Sequence, residues 1–144
     1  MRLATEGAVM QRKDKNLATR VIDAGTKIVM HFGETLIPAT LNESETAQAL
    51  LAQLPLEIRL TNYGQDFCGV MVAPLPYQEA DVHNGWLNDD IDFATDGDWF
   101  TILYAGEDTS ADYGYQVNIG KIDCPLAQLS AIQGSVNVRI ELAE

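Results

Sequence analysis

The residues best equipped for chemistry crowd into one stretch. Asn88, Asp89, Asp90, Asp92, Asp96 and Asp98 place five carboxylates and an amide within eleven residues. Carboxylates at that density suit acid–base catalysis or the holding of a hard cation. Asp92-x-Ala94-x-Asp96-Gly97 imitates the opening of a calcium loop, but alanine replaces one ligand and Leu103 stands where the bidentate glutamate belongs. The stretch therefore reads as the solvated rim of a hairpin before it reads as a calcium site. Zinc would require His31 and His83 to converge with Cys68 or Cys124, and neither cysteine has a Cys-x-x-Cys partner. All four are expected as lone buried or half-buried residues, the cysteines as free thiols. Ser110, Ser130 and Ser135 have no histidine nearby in sequence, and no phosphate loop, nucleophile elbow or dinucleotide glycine pattern is present. No metal or other cofactor is implied.

The same acidic stretch marks the element around which the chain is organised. Ile91 and Phe93 alternate with Asp90, Asp92 and Ala94, the period-two pattern of a strand with one dry face. Asp96-Gly97 predicts a tight type I′ hairpin turn. Trp99, Phe100, Ile102, Leu103 and Tyr104 then form the most apolar and aromatic run of the chain, suited to a strand buried on both faces.

The remaining elements fall on either side. Lys27–Phe32 and Thr35–Leu41 read as a hairpin around Gly33-Glu34, with Pro38 directing the second strand to an edge or bulge. Asn42 followed by Glu45 resembles a capping box, and Thr46 to Leu54 have helical spacing until Pro55. Leu56, Ile58 and Leu60 alternate strictly with polar residues, and Phe67–Ala73 forms the next strand. Residues 77–88 and 105–114 read as long connections. Tyr115, Val117 and Ile119 alternate again. Asp123 is expected to cap a short helix that turns Leu126, Leu129 and Ile132 inward, and Val136 to Leu142 shows the most regular alternation of all. About eight strands and two short helices imply a mainly β fold, a closed or nearly closed antiparallel barrel with helices capping its ends.

Charge is unevenly distributed. Residues 1–27 carry six basic and three acidic side chains, a net +3, and the remaining three bases and eighteen acids give −15, summing to the −12 of the whole chain. An acidic body repels phosphate backbones, so nucleic acid is disfavoured as a partner. No apolar run approaches the length of a membrane span and no apolar leader is visible, so no membrane association and a cytoplasmic location are expected. Residues 1–26 are expected as a basic arm, partly ordered or packed on a neighbouring subunit, and 27–144 as the barrel domain. The arm and the strand at Pro38 raise homo-oligomerisation as an expectation.

Several motifs carry a family resemblance. Thr95-Asp-Gly-Asp-Trp-Phe-Thr-Ile102 resembles the cyclophilin Asn-Gly-Ser-Gln-Phe-Phe-Ile segment, Val117-Asn-Ile-Gly-Lys-Ile122 its Val-Phe-Gly-Lys-Val, and Thr46-Ala-Gln-Ala-Leu-Leu51 its first helix. The Thr-Ala-x-Ala-Leu-Leu-x-x-Leu-Pro-Leu run and the Gly-Lys-Ile ending before a short helix resemble the small prokaryotic cyclophilin-like proteins of unassigned function. The resemblance covers about residues 27–143 and implies a cyclophilin-like barrel.

It does not bring the whole isomerase site with it. Rotating a prolyl bond means crossing a barrier of roughly 20 kcal/mol, and a cyclophilin-type site lowers it with an apolar proline pocket and an arginine donor. By resemblance the arginine position falls on Gly69 and one pocket phenylalanine on Thr101. Arg59 is the nearest spare guanidinium, and its alternation with Ile58 and Leu60 points it outward. Two function classes follow. One is a non-catalytic module binding a peptide or small molecule in a groove lined by some of Met71, Leu75, Tyr77, Trp86, Trp99 and Tyr113. The other is an enzyme, either a prolyl isomerase with a degenerate site or an acid–base catalyst using the aspartate-rich stretch.

Overall fold

A computed structural model describes residues 25–112 and 115–143. Its alternating segments become nine strands: β1 (Thr26–Phe32), β2 (Thr35–Leu41), β3 (Leu56–Asn62), β4 (Asp66–Val70), β5 (Val82–Asn84), β6 (Asp90–Ala94), β7 (Trp99–Leu103), β8 (Tyr115–Ile122) and β9 (Ser135–Leu142). Two helices join them, α1 (Glu45–Leu51) and α2 (Ala127–Ser130). Eight strands close antiparallel into a barrel in the order β2-β1-β9-β3-β4-β7-β6-β8, and β8 returns to β2. The closing ladder pairs Ala39 with Ile122 and Leu41 with Gly120. β5 is added outside the ring, on the part of β8 that β2 leaves free.

The inward positions of the strands meet in one core, where Met30, Ile37, Leu60, Phe67, Phe93 and Ile140 are fully shielded. The rings of Phe32 and Phe67 meet edge to face at 5.2 Å. Leu50 and Leu129 bring α1 and α2 onto this core, and burying each leucine is worth about 1.5–3 kcal/mol. Four of the five residues of β7 are buried, so it is indeed covered on both faces.

Local details depart from the sequence expectations for identifiable reasons. The central hairpin closes with Ala94 opposite Trp99, which makes its loop the four residues 95–98 in place of a two-residue turn at Asp96-Gly97. Positive φ falls on Gly97 and Asp98. Asn42 does not cap α1. It is buried and donates to the Asn118 carbonyl at 2.9 Å, while Ser44 takes the capping role by accepting from the Ala47 N–H at 3.1 Å. Asp123 does not cap α2 either, whose start has no side-chain cap. It accepts from Thr40 Oγ1 and Lys121 Nζ, both at 2.5 Å, and so fastens β2 to the end of β8.

Pro38 is not on a free edge, since β2 pairs with β1 along its length and with β8 beyond Pro38. Asp123 N–H donates to the Pro38 carbonyl, and proline returns no N–H, so the closing ladder ends there. The connection after β4 contains β5, which sequence alternation did not announce. The expected strand 67–73 ends at Val70. The arm falls outside the described residues apart from its last positions.

Candidate functional site

In an antiparallel barrel, alternate residues face outward and are normally wet. On β6, β7 and the body of β8 most of them are not. Asp90 and Asp92 are fully shielded from solvent, and Thr101, Gln116 and Asn118 are nearly so. The expected solvated rim is therefore corrected for Asp90 and Asp92: they stand on the outer face, as their alternation with Ile91 and Phe93 requires, but that face is roofed.

The roof is made of two connections zipped together. Trp86 N–H donates to Ser110 Oγ at 2.9 Å, and the Trp86 indole donates to the Ala105 carbonyl at 2.9 Å. Asn88 N–H donates to Glu107 Oε1, and Glu107 N–H returns a bond to Asn88 Oδ1. Beneath them, Asp90 Oδ2 accepts from Leu87 N–H at 2.9 Å and Asp92 Oδ1 accepts from Asn118 Nδ2 at 3.0 Å. Burying carboxylates is costly without such donors, so the roof and the acids stabilise one another.

Beside the roof the outer face opens into a pocket of about 340 Å³. Its floor follows β7 and β4, where Leu103 lies opposite Asp66 and Thr101 opposite Cys68. Trp86 and Trp99 supply aromatic walls, with Gln65 and Asp66 toward one end of β7 and Asp96 toward the other. Gly97 sets the Trp99 wall. A Cβ there would lie 2.7 Å from the indole Nε1, and the positive φ of 118° is one that glycine accepts readily.

Electrostatically the pocket is acidic and its thiol is quiet. Burial raises the Asp66 carboxyl above its ordinary value, and a hydrogen bond from Cys68 only partly offsets this. Burial, the neighbouring Asp66 charge and its hydrogen bond together push the Cys68 thiol up to about 12. A thiol so placed is protonated at neutral pH and is no nucleophile. Both cysteines are free and half-buried, as expected. Among the described residues no group of three or more histidine, cysteine or acidic side chains is placed to hold a metal ion.

On the far side of Trp99 lies a larger groove of about 590 Å³, where β3 and the end of β4 part company. Only Thr61–Cys68 and Asn62–Phe67 are paired between these strands. Met71 sits at its base and Val72 stands fully exposed at its rim. Arg59 borders the groove but turns outward, its guanidinium donating to Asn137 Oδ1 at 3.2 Å. At Gly69 the two strands touch. A Cβ there would lie 2.1 Å from the Arg59 carbonyl oxygen, so the position that resemblance matches to the isomerase arginine has no room for a side chain.

Of the residues singled out from sequence, Trp86 and Trp99 are brought together in the pocket, and Met71 joins Trp99 in the groove. Leu75 is buried in the core. Tyr77 is half-exposed, its ring 6.5 Å from that of Phe93. Neither lines the pocket or the groove. Tyr113 falls outside the described residues. Sequence reasoning missed Asp66 and Gln116 as pocket residues. The alternation of Gln116 with Tyr115 and Val117 was a usable signal, whereas Asp66 was hidden at the mouth of a turn.

A closed eight-stranded antiparallel barrel with a partly roofed outer face defines the class of protein. Residues 30–141 match the model of the cyclophilin-like family, and the chain belongs to that family. A search of curated proteins returned no match. Among solved structures, the chain is similar to the solution structure of the hypothetical protein AF2241 from Archaeoglobus fulgidus. The two share a TM-score of 0.66 at 16% identity, covering 83% of this chain and 95% of that one. At that identity the likeness speaks for the fold alone.

Proposed function

We propose that this protein is a non-catalytic binding module that holds a small ligand in the outer-face pocket between Trp86 and Trp99. The observation that carries the reading is the pairing of a preformed aromatic pocket with a filled Gly69 position. The pocket offers apolar walls and a few polar groups, the usual composition of a ligand site. The cation that would favour a twisted prolyl amide has no place to stand at Gly69. A partner other than nucleic acid accords with the acidic body. Among the described residues no helix is long and apolar enough to cross a membrane.

The test combines thermal shift and tryptophan fluorescence against small molecules and short proline-containing peptides. A pocket ligand at about a hundred times its dissociation constant adds about 2.7 kcal/mol of stability, and Trp99→Ala should weaken it at least about tenfold. Accelerated prolyl isomerisation that disappears in Arg59→Ala would replace this reading with that of a degenerate isomerase.

A further inference from the structure

The pocket's polar groups are distributed unevenly, and the distribution selects a ligand. Asp66 and Gln65 lie beside Leu103 at one end of β7, and Asp96 lies in the hairpin loop just beyond Trp99 at the other. Leu103 and Trp99 stand four positions apart on β7, a span of about 13 Å at roughly 3.3 Å per residue. Between the ends lie Thr101, the protonated Cys68, Leu103 and the two indoles, with Tyr115 and Gln116 along the β8 side. Among the described residues no lysine, arginine or histidine borders the pocket. Anionic ligands therefore find no counter-charge among the described lining residues, and the acid excess of residues 28–144 repels them at longer range.

We propose that the pocket takes a linear aliphatic polyamine, its terminal ammonium groups at Asp66 and Asp96 and its methylene chain along Trp99, Thr101 and Leu103. This rests on the pocket reading above and adds the chemical class. Each part answers a part of the ligand. A carboxylate at each end matches two separated cations, which a compact monoamine cannot satisfy together. The indole faces attract ammonium groups and cover methylenes. Thr101 Oγ1 is already committed to the Asp92 carbonyl at 3.1 Å, so this hydroxyl asks little hydrogen bonding of the ligand. An ammonium beside Asp66 also relieves the burial that raises its carboxyl, so binding should strengthen as pH rises and that group ionises.

Titration calorimetry of the full chain at fixed ionic strength tests this with spermidine, n-butylamine and the neutral 1,8-octanediol. Spermidine should bind at least about tenfold more tightly than n-butylamine. Asp66→Asn and Asp96→Asn should each remove most of that advantage, while Glu34→Gln, on the distant β1–β2 turn, should change affinity less than about twofold. Asp96 is exposed, so its variant carries the test if Asp66→Asn fails to fold. Equal affinity for spermidine and n-butylamine, or an equal loss in Glu34→Gln, overturns the polyamine assignment. Octanediol binding that is lost in Trp99→Ala, without preference for amines, overturns the ligand class and leaves the pocket reading standing. Failure of amines and diol alike overturns the polyamine assignment, and the pocket reading falls with it only when the small-molecule and peptide panel also fails.

Discussion

The barrel wall has two halves that obey different rules. On β1, β9 and β3 the outward residues are wet: Glu57, Arg59, Asn137 and Arg139 are exposed, and His31 meets Glu141 at 2.6 Å in half-exposed surroundings. On β7, β6 and the body of β8 most outward residues are covered and two aspartates have no solvent contact, while on β4 Asp66 and Cys68 are half-buried and Val70 is exposed. Strand geometry is the same in both halves. What differs is the length of the connections: β1 and β2 are joined by a tight turn, whereas residues 71–89 and 104–112 are long enough to fold back over the wall. This cyclophilin-like barrel thus forms a pocket on its outside, by covering part of a face that would otherwise carry only solvated side chains.

Substitutions can break that contrast in order of expected size. Gly69→Ala, at the boundary between the halves, should cost about 3 kcal/mol or more in chemical denaturation, because its Cβ meets rigid backbone. Asn118→Ala in the roofed half should cost about 2 kcal/mol. Its amide serves the Ile91 and Gly120 carbonyls and Asp92, all buried. Asn137→Ala in the wet half should cost less than about 0.5 kcal/mol, although it too removes a hydrogen bond. Equal costs for the two asparagines would erase the distinction.

The smallest effects are pH-dependent and opposite in sign. At Asp66, burial raises the folded-state value, so the folded protein holds that proton more tightly and loses stability as pH climbs through it. At Asp123 burial also pushes upward, but bonds from Lys121 and Thr40 and two lysine charges outweigh it. Its contribution is present above the ordinary carboxylate range and is lost as pH falls through the lowered folded-state value. At pH 7, Asp66→Asn should therefore stabilise and Asp123→Asn destabilise, each by a fraction of a kcal/mol after solvent screening. Both differences should shrink on acidification in urea titrations run at stepped pH.

Much of the barrel was legible because alternation is a local property. Leu56 to Leu60 and Val136 to Leu142 announce their inward faces without reference to partners, and they pair as β3 and β9. The positions that misled depend on what lies across space. Asn42 looks like a cap until Asn118, 76 residues on, claims its amide. β5 has only three residues and is held in place by β8. Asp92 was placed on the correct face by period two, but nothing in residues 90–94 says that the face is roofed. Trp86 and Trp99 were legible as aromatic walls. Asp66 was not, because its neighbours along the chain give no sign of the pocket that Leu103 and Trp86 complete.

One topological fact has a kinetic consequence. β9 follows every other strand in chain order, yet it stands between β1 and β3 and pairs with both. A nascent chain that has already released α1, the hairpins and the acidic loops from the ribosome still carries a gap in its wall, with two apolar strand edges open to strangers. Closure must await a contact spanning more than a hundred residues, so folding should be slow for the size of the domain and the waiting state a natural client for chaperones.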